Sequence, residues 1–218
     1  MDKYEDCLYK DICTQTCKKA CLRYVEMKYL LKTSNIPKSK QKFNSLVPDE
    51  CDMVAFKNLA DLRDDIVNFT KNGEQLYIYS DVCGNGKTTW AIKLMLQYFN
   101  EVWAGNGFTK RGIFINVPTF LGMCKAVISN PDENFENLRS SLVDVDLVIW
   151  DDIAADKLSA YDFNILLMYL DQRVLNDKAN IYTGNIEPEK LQQFVGSRIA
   201  SRINQNCCKV KLLGGDRR

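Results

Sequence analysis

Residues 76–90 read Leu-Tyr-Ile-Tyr-Ser-Asp-Val-Cys-Gly-Asn-Gly-Lys-Thr-Thr-Trp. An apolar run leads into a glycine-rich turn, and a second apolar run, beginning at Trp90, leads out of it. This order predicts a buried strand, a loop and a helix, which is the context that a phosphate-binding loop requires. The turn matches the pattern GxxxxGK(S/T) at Gly86, Lys87 and Thr88. Asp81 stands where the pattern has its first glycine.

The glycine-rich turn predicts a nucleotide site. Glycines let successive backbone N–H groups turn toward phosphates, and the N-terminus of the following helix favours an anion. We expect Lys87 to reach the β- and γ-phosphates of ATP or ADP and Thr88 to ligate Mg²⁺. The alternative is a glycine turn before an ordinary helix, which the strand–loop–helix context disfavours. The predicted nucleotide-binding residues are Cys83, Gly84, Asn85, Gly86, Lys87, Thr88 and Thr89.

A second motif follows at residues 146–153, Asp-Leu-Val-Ile-Trp-Asp-Asp-Ile. An apolar strand that ends in two carboxylates is the Walker B arrangement. We expect Asp151 to hold the Mg²⁺ shell and Asp152 to orient the attacking water. The chain has no histidine, so the general base must come from another residue type, and Asp152 is the best candidate. The alternative is an acidic surface turn at the end of a strand.

Asn185 follows the next predicted strand, 179–183, at its tip. A polar residue at this place would sense the γ-phosphate and help to position the water. The alternative role is to cap the helix that follows, since asparagine is a common N-cap.

The chain alternates between short apolar runs and helical patterns from about residue 54. This alternation predicts an α/β fold, a P-loop NTPase core whose parallel five-stranded sheet carries helices on both faces. The predicted strands are 76–79, 112–117, 147–150, 179–183 and 209–213, and the predicted helices are 59–72, 87–98, 118–129, 135–142, 159–174 and 187–203.

Composition limits the classes of function. The 218 residues suffice for one α/β domain and a small appendage. The formal net charge of +1 excludes a general basic coat for nucleic acid, so any DNA contact needs a local patch. The first residues do not read as a secretory signal. The longest apolar run, 165–170, is too short to cross a bilayer. We expect a cytoplasmic protein without a membrane partner.

Four of the nine cysteines, Cys7, Cys13, Cys17 and Cys21, fall in the first 21 residues. Four thiolates complete a tetrahedral zinc shell, and so small a segment needs such a staple to fold. We expect a loop up to about Gln15 and a helix that begins near the last two of these cysteines. An iron–sulfur cluster is the runner-up, and free thiols are the other alternative. The predicted domains are a metal-binding module at 1–37, a linker at 38–53 and the ATPase domain at 54–218.

Several segments within residues 54–218 together resemble the bacterial and phage helicase loaders, the DnaC/DnaI-like AAA+ ATPases, and most of all those of phages and mobile elements. The segments are 76–80, 84–88, 146–153, 159–161, 183–185 and 196–202. The resemblance implies an AAA+ core without the C-terminal helical lid of larger relatives, for which residues 214–218 leave no room. Two residues depart from the family pattern, Asp81 for glycine and Asp152 for glutamate, and they suggest slow hydrolysis of ATP to ADP and phosphate.

The resemblance also implies roles that the residues alone do not. Arg202 matches the arginine that reaches a neighbouring subunit's nucleotide, and Arg198 lies one helical turn before it. Ser159 and Tyr161 match positions that contact single-stranded DNA. The alternatives are surface arginines without a role, helix capping by Ser159 and core packing by Tyr161.

These inferences indicate an ATP-dependent loader of the replicative helicase onto single-stranded DNA, which hydrolyses ATP at the interfaces between its own subunits. The expected cofactors are ATP or ADP, Mg²⁺ and Zn²⁺, and by resemblance the cysteine module would grip the helicase. Two other functions remain open, a transposase-helper ATPase and an adaptor that binds ATP without hydrolysing it.

Overall fold

The structure is a computed structural model and describes residues 5–14, 21–43 and 46–217. These residues contain five strands: β1 (Gln75–Tyr79), β2 (Gly112–Asn116), β3 (Leu147–Asp151), β4 (Ala179–Gly184) and β5 (Cys207–Lys211). They contain nine α-helices: α1 (Leu22–Thr33), α2 (Met53–Asp64), α3 (Ile66–Lys71), α4 (Lys87–Val102), α5 (Val117–Ala126), α6 (Glu133–Asp144), α7 (Ala160–Leu175), α8 (Gln192–Val195) and α9 (Ser197–Asn204).

The strands form one parallel sheet in the order β2-β3-β4-β1-β5. The predicted five-stranded parallel sheet is therefore confirmed. Because every strand runs in the same direction, the carboxyl ends of all five lie along one edge. Three of the sequence motifs follow that edge, since they come directly after β1, at the end of β3 and directly after β4.

Helices cover both faces of the sheet. Leu76 and Ile78 of β1 belong to one buried apolar cluster, while Tyr77 between them belongs to the other. Successive strand residues point to opposite faces, so β1 is buried on both sides, as a strand inside a parallel sheet should be. Among the described residues, no helix is both long and apolar enough to cross a membrane.

Two predicted helices differ from the structure. The helix expected over 59–72 starts earlier, at Met53, and is divided into α2 and α3 at Asp65. The helix expected over 187–203 is wrong as a single element. It is a 3-10 turn at Pro188–Lys190 followed by α8 and α9. Gly196 separates these two helices with a φ of 80°, a left-handed value that an α-helix does not contain.

The N-terminal residues pack on the α/β core. Residues 5–12 form turns and α1 follows at Leu22. Tyr9, Met27, Leu30 and Ile36 are buried in the same cluster as Leu76 and Ile78 of β1. On β2, the outermost strand of the sheet, the Phe114 backbone N–H donates to the Ser34 carbonyl oxygen over 2.7 Å. The described residues among the first 37 thus share a core with the α/β fold, and the domain boundaries at 37 and 53 remain a prediction.

Candidate nucleotide site

The glycine-rich loop places its left-handed residues at Gly84, with a φ of 74°, and at Gly86, with a φ of 107°. Asp81 is not among the described residues with a positive φ, so its backbone does not need glycine. Its carboxylate instead forms an ion pair with Lys211, at 3.2 Å between Oδ2 and Nζ. The departure from the phosphate-loop pattern is therefore accommodated without backbone strain.

Lys87 is buried against this loop. Its ammonium donates to the Val82 carbonyl oxygen at 2.8 Å and to Asn85 Oδ1 at 3.3 Å. Asn85 is fully buried, and its Nδ2 donates to Ser80 Oγ at 2.5 Å. Burial lowers the pKa of Lys87, and the nearby acidic groups, Asp152 and Asp151 among them, oppose this. The loop thus holds a desolvated cation, which is suited to a phosphate.

Asp151 lies at the centre of a hydroxyl network. The Thr88 and Thr183 hydroxyl groups both donate to Asp151 Oδ1, each over 2.7 Å. The structure thus brings together the two residues that the sequence assigned to Mg²⁺, Thr88 and Asp151. Both offer oxygen atoms, the ligands that Mg²⁺ prefers, so the donor set fits this ion.

Asp152 adopts a left-handed conformation, with a φ of 58°. Its backbone N–H donates to Thr183 Oγ1 at 3.1 Å, and Asn116 Nδ2 lies 3.5 Å from its Oδ2. Burial, followed by the negative charge of Asp151, raises the pKa of this carboxyl, while Lys87 opposes the rise. A raised pKa suits a group that must accept a proton near neutral pH.

Sequence reasoning missed Thr183 and Asn116. Thr183 is the penultimate residue of β4 and Asn116 is the last residue of β2. Both sit at the carboxyl edge of the sheet beside β3. A polar side chain at the end of a predicted apolar strand could have pointed to both, and the same feature led to the prediction for Asn185.

Asn185 directly follows β4 at this edge. The cap residue of the next helical turn is Glu187, so Asn185 does not cap that turn. Its Oδ1 is buried and has no hydrogen-bond partner among the described residues. A buried amide oxygen without a partner is costly, and a ligand or water at the edge of the sheet would satisfy it.

The two arginines of α9 lie one turn apart and face the same acceptor. Arg202 Nε is 2.5 Å from Asp171 Oδ1, and Arg198 Nη2 is 3.7 Å from Asp171 Oδ2. The Arg198 side chain is 67% exposed and that of Arg202 is 36% exposed. In the single chain both arginines thus pair with α7 and remain partly exposed to solvent.

The residues assigned to DNA lie at the start of α7. The Ser159 hydroxyl caps this helix, since it accepts from the Asp162 N–H at 3.3 Å and donates to Asp162 Oδ2 at 2.6 Å. The Tyr161 hydroxyl donates to the Cys124 carbonyl oxygen at 3.1 Å, and the residue is 38% exposed. Ser159 therefore has the capping role, and Tyr161 is not a buried core residue.

The N-terminal cysteines are only partly described, because Cys17 lies outside the described residues. Cys7 and Cys13 are half-buried against the apolar cluster, and Cys21 precedes the first turn of α1. In the described part of the chain these three thiols do not form a group close enough to share one ion. Asp49, Cys51 and Asp52 do form such a group, but both of its carboxylates already pair with Arg217.

A cavity of about 960 Å³ lies away from the phosphate loop. Its walls come from the N-terminal residues, α1, β2 and α5, and include Tyr24, Phe114 and Phe120. Asn116 also lines it, so the cavity reaches the side chain that contacts Asp152.

The sequence matches no protein-family model and no curated protein sequence. The fold, in contrast, is shared with solved structures. The DnaC helicase loader matches 77% of this chain and 94% of its own, at a TM-score of 0.64 and 16% identity. DnaI matches 83% of this chain and 96% of its own, at a TM-score of 0.63 and 16% identity.

Two further structures have the same core. A protein from Streptococcus pyogenes serotype M3, provisionally assigned as a primosome component, covers 93% of this chain and 100% of its own, at a TM-score of 0.67 and 19% identity. AMPPCP-bound DnaA from Aquifex aeolicus covers 76% of this chain at a TM-score of 0.59 and 17% identity, and this chain spans 48% of its length. The fold that the sequence resemblance implied, that of the DnaC and DnaI loaders, is confirmed.

Proposed function

We propose that this chain is an ATP-dependent loader of the replicative DNA helicase that acts in the cytoplasm. One observation carries the proposal. The phosphate loop, the Thr88–Asp151 pair and Asp152 meet at the carboxyl edge of a sheet whose fold is that of the DnaC and DnaI loaders. One DnaA structure with this fold has AMPPCP bound, and another has AMPPCP and single-stranded DNA bound.

In the proposed reaction Lys87 binds the β- and γ-phosphates of ATP. Asn185 and Asp152 position a water molecule in line with the γ-phosphorus. The water oxygen bonds to phosphorus, the bond to the β-phosphate oxygen breaks, and the water proton passes to the Asp152 carboxylate. The products are ADP and phosphate. Because Asp152 is shorter than glutamate, the water is held less well, and a displacement of about 1 Å costs on the order of 100-fold in rate.

Mg²⁺, held by Thr88 and Asp151, would neutralise charge on the phosphates. The chain's own contribution to this task is the preorganisation of the Asp151 carboxylate. Two threonine hydroxyls fix its Oδ1 on one side, so the other oxygen has a defined orientation.

Assembly is part of the proposal. Arg202, with Arg198 one turn before it, would reach the nucleotide of a neighbouring subunit. The cis contact with Asp171 is partly exposed, and such pairs contribute only about 0–1 kcal/mol. A neighbour's γ-phosphate would therefore compete for the guanidinium at little cost. Tyr161 would stack on a base of single-stranded DNA, and Ser159 would hold the start of the helix that presents it.

The zinc site remains part of the proposal with all four ligands, Cys7, Cys13, Cys17 and Cys21. Metal binding would require the three described thiols to approach each other. We expect about one equivalent of zinc in protein purified without chelator. We also expect Cys17→Ser and Cys21→Ser to lose helicase binding while they keep ATP binding. Less than half an equivalent of zinc argues against the site, and a brown protein with visible absorbance would identify iron–sulfur instead.

The central test measures nucleotide and helicase together. Wild-type protein should bind Mg·ATP and form a defined complex with the host's replicative helicase. Lys87→Ala should lose nucleotide binding, whereas Lys57→Ala, on the exposed face of α2, should retain it. Unchanged nucleotide affinity in Lys87→Ala would overturn the assignment of the loop.

The same experiment separates the other functions. A complex with a transposase in place of the helicase identifies a transposase helper. ATP binding without turnover, with or without single-stranded DNA, identifies an adaptor.

A further inference from the structure

Residues 212–217, after β5, lie across the phosphate loop and against the segment that precedes α2. The Leu212 N–H donates to the Tyr79 carbonyl oxygen at 2.9 Å and so extends the pairing of β5 with β1. Farther along, the Arg217 N–H donates to the Gly84 carbonyl oxygen at 3.1 Å. The segment therefore makes a backbone contact with the loop at one of its left-handed glycines.

Asp52, which is fully buried, holds the first part of this segment. Its carboxylate accepts from the Leu213 N–H at 2.6 Å and from the Gly214 N–H at 3.1 Å. Arg217 Nη2 lies 3.2 Å from the same carboxylate and 3.0 Å from Asp49 Oδ2. Arg217 also donates to the Val47 carbonyl oxygen. We name this set of contacts, between residues 212–217 and Asp49 and Asp52, the clasp.

The clasp leaves no room for a Cβ atom at Gly214 but leaves room for one at Gly215. A Cβ on Gly214 would lie 2.4 Å from Asp49 Oδ2 and 2.5 Å from Asp52 Oδ2. A Cβ on Gly215 would meet nothing within 4 Å. Two neighbouring glycines thus differ in whether they tolerate a methyl group.

We propose that Arg217 is a positioning residue for the nucleotide and that the clasp holds the phosphate loop in its binding conformation. The inference rests on the proposed nucleotide site. A loop with two left-handed glycines is flexible, and its ordering opposes binding. The clasp removes part of that cost because it fixes the Gly84 carbonyl group before nucleotide arrives. Loss of the clasp should free about one backbone position of the loop. Nucleotide binding should then weaken about tenfold, equivalent to ~1.4 kcal/mol.

The test titrates the full chain with Mg·ADP. Gly214→Ala should raise the Kd about tenfold because the added methyl group forces the clasp open, while Gly215→Ala, the matched control, should leave it unchanged. Arg217→Ala should match Gly214→Ala, and Arg217→Lys should recover part of the affinity. In Gly214→Ala and Arg217→Ala we expect KM for ATP to rise while kcat at saturating ATP is retained. A residue that only stabilises the fold would not separate these two constants in this way.

A second readout does not depend on nucleotide. Amide hydrogen exchange at residues 82–86 in the free protein should be faster in Gly214→Ala than in Gly215→Ala. Equal Kd values for these two variants, or a loss of kcat with an unchanged KM, would overturn the proposal. If wild-type protein binds no Mg·ADP, the proposed function itself fails, and the clasp proposal falls with it.

Discussion

Asp152 has an unusual backbone conformation at the candidate site. A φ of 58° is strained for most side chains, and aspartate and asparagine tolerate it better than most. This backbone conformation gives a physical reason for aspartate at a position where the family pattern has glutamate. The conformation is held by the Thr183 hydroxyl, which accepts from the Asp152 N–H.

The raised pKa of Asp152 predicts the pH dependence of ATP turnover. Hydrolysis needs the carboxylate form, so the rate should fall as pH drops through a value above the ordinary aspartate pKa of about 3.9. Asn116→Asp removes the donor that lowers this pKa and adds a negative charge, but it keeps the oxygen that caps α5. The acid limb of kcat should therefore move to higher pH.

The control for this prediction is Asn134→Asp, which adds the same charge at an exposed position on α6. Its pH profile should match that of the wild-type protein. If Asn116→Asp leaves the acid limb in place, Asp152 is not the group that limits the rate at low pH.

At the scale of elements, Arg173 connects α7 to the beginnings of β3 and β4. The side chain is fully buried, and burial lowers its pKa to about 9. It donates to five oxygen atoms, those of Leu142, Val145, Asp146, Ala179 and the Asn180 side chain. The guanidinium thus satisfies carbonyl groups at the ends of several elements at once.

Removal of this side chain should be costly. Arg173→Ala leaves buried carbonyl groups without donors, and we expect a loss of about 3–5 kcal/mol in the free energy of unfolding. Urea denaturation measures this value. Gln172→Ala, at the exposed neighbouring position, should change it by less than about 0.5 kcal/mol. A similar result for both variants would show that Arg173 is not a structural anchor.

Helix α9 carries Arg202, the arginine proposed to act on a neighbouring subunit's nucleotide. Arg202→Ala should bind Mg·ATP normally but lose turnover, by about 10³–10⁵-fold if it acts like the best-studied arginine fingers. Mixing this variant with Lys87→Ala tests action in trans, because one subunit keeps the nucleotide site and the other keeps the arginine. Recovery of turnover in the mixture is expected. Normal turnover by Arg202→Ala alone would remove it from the active site.

At the scale of the whole molecule, the described N-terminal residues and the α/β core share one apolar cluster. Met27 of α1 is 2% exposed within it, while Val25 on the same helix is 40% exposed. A lone helix of this length is marginal in water, so α1 depends on this packing. We therefore expect both parts to unfold together.

Met27→Ala should lower the free energy of unfolding by about 2–5 kcal/mol in a single transition. The control, Val25→Ala, should have a much smaller effect because that side chain is already in contact with water. Two separate transitions, or an unchanged transition of the α/β core in Met27→Ala, would indicate an N-terminal module that folds independently.

The sequence by itself determined the α/β class, the parallel sheet and the glycine-rich turn between β1 and α4, because strand–loop–helix order and apolar periodicity are local properties. It also singled out Asp151 and Thr88, since each belongs to a motif with fixed spacing, and the structure brings these two side chains together. The break at Gly196 was missed because the helical pattern continues on both sides of it, and only the backbone conformation separates α8 from α9.

Only the tertiary structure decided which distant groups meet. Thr183 and Asn116 reach Asp151 and Asp152 because parallel strands end at one edge, and no local pattern states which strands are neighbours. The clasp depends on a contact between Arg217 and Asp52, which are 165 positions apart. The pairing of Arg202 with Asp171 likewise arises from the packing of α9 on α7, because an ion pair across two helices depends on their orientation and not on sequence spacing.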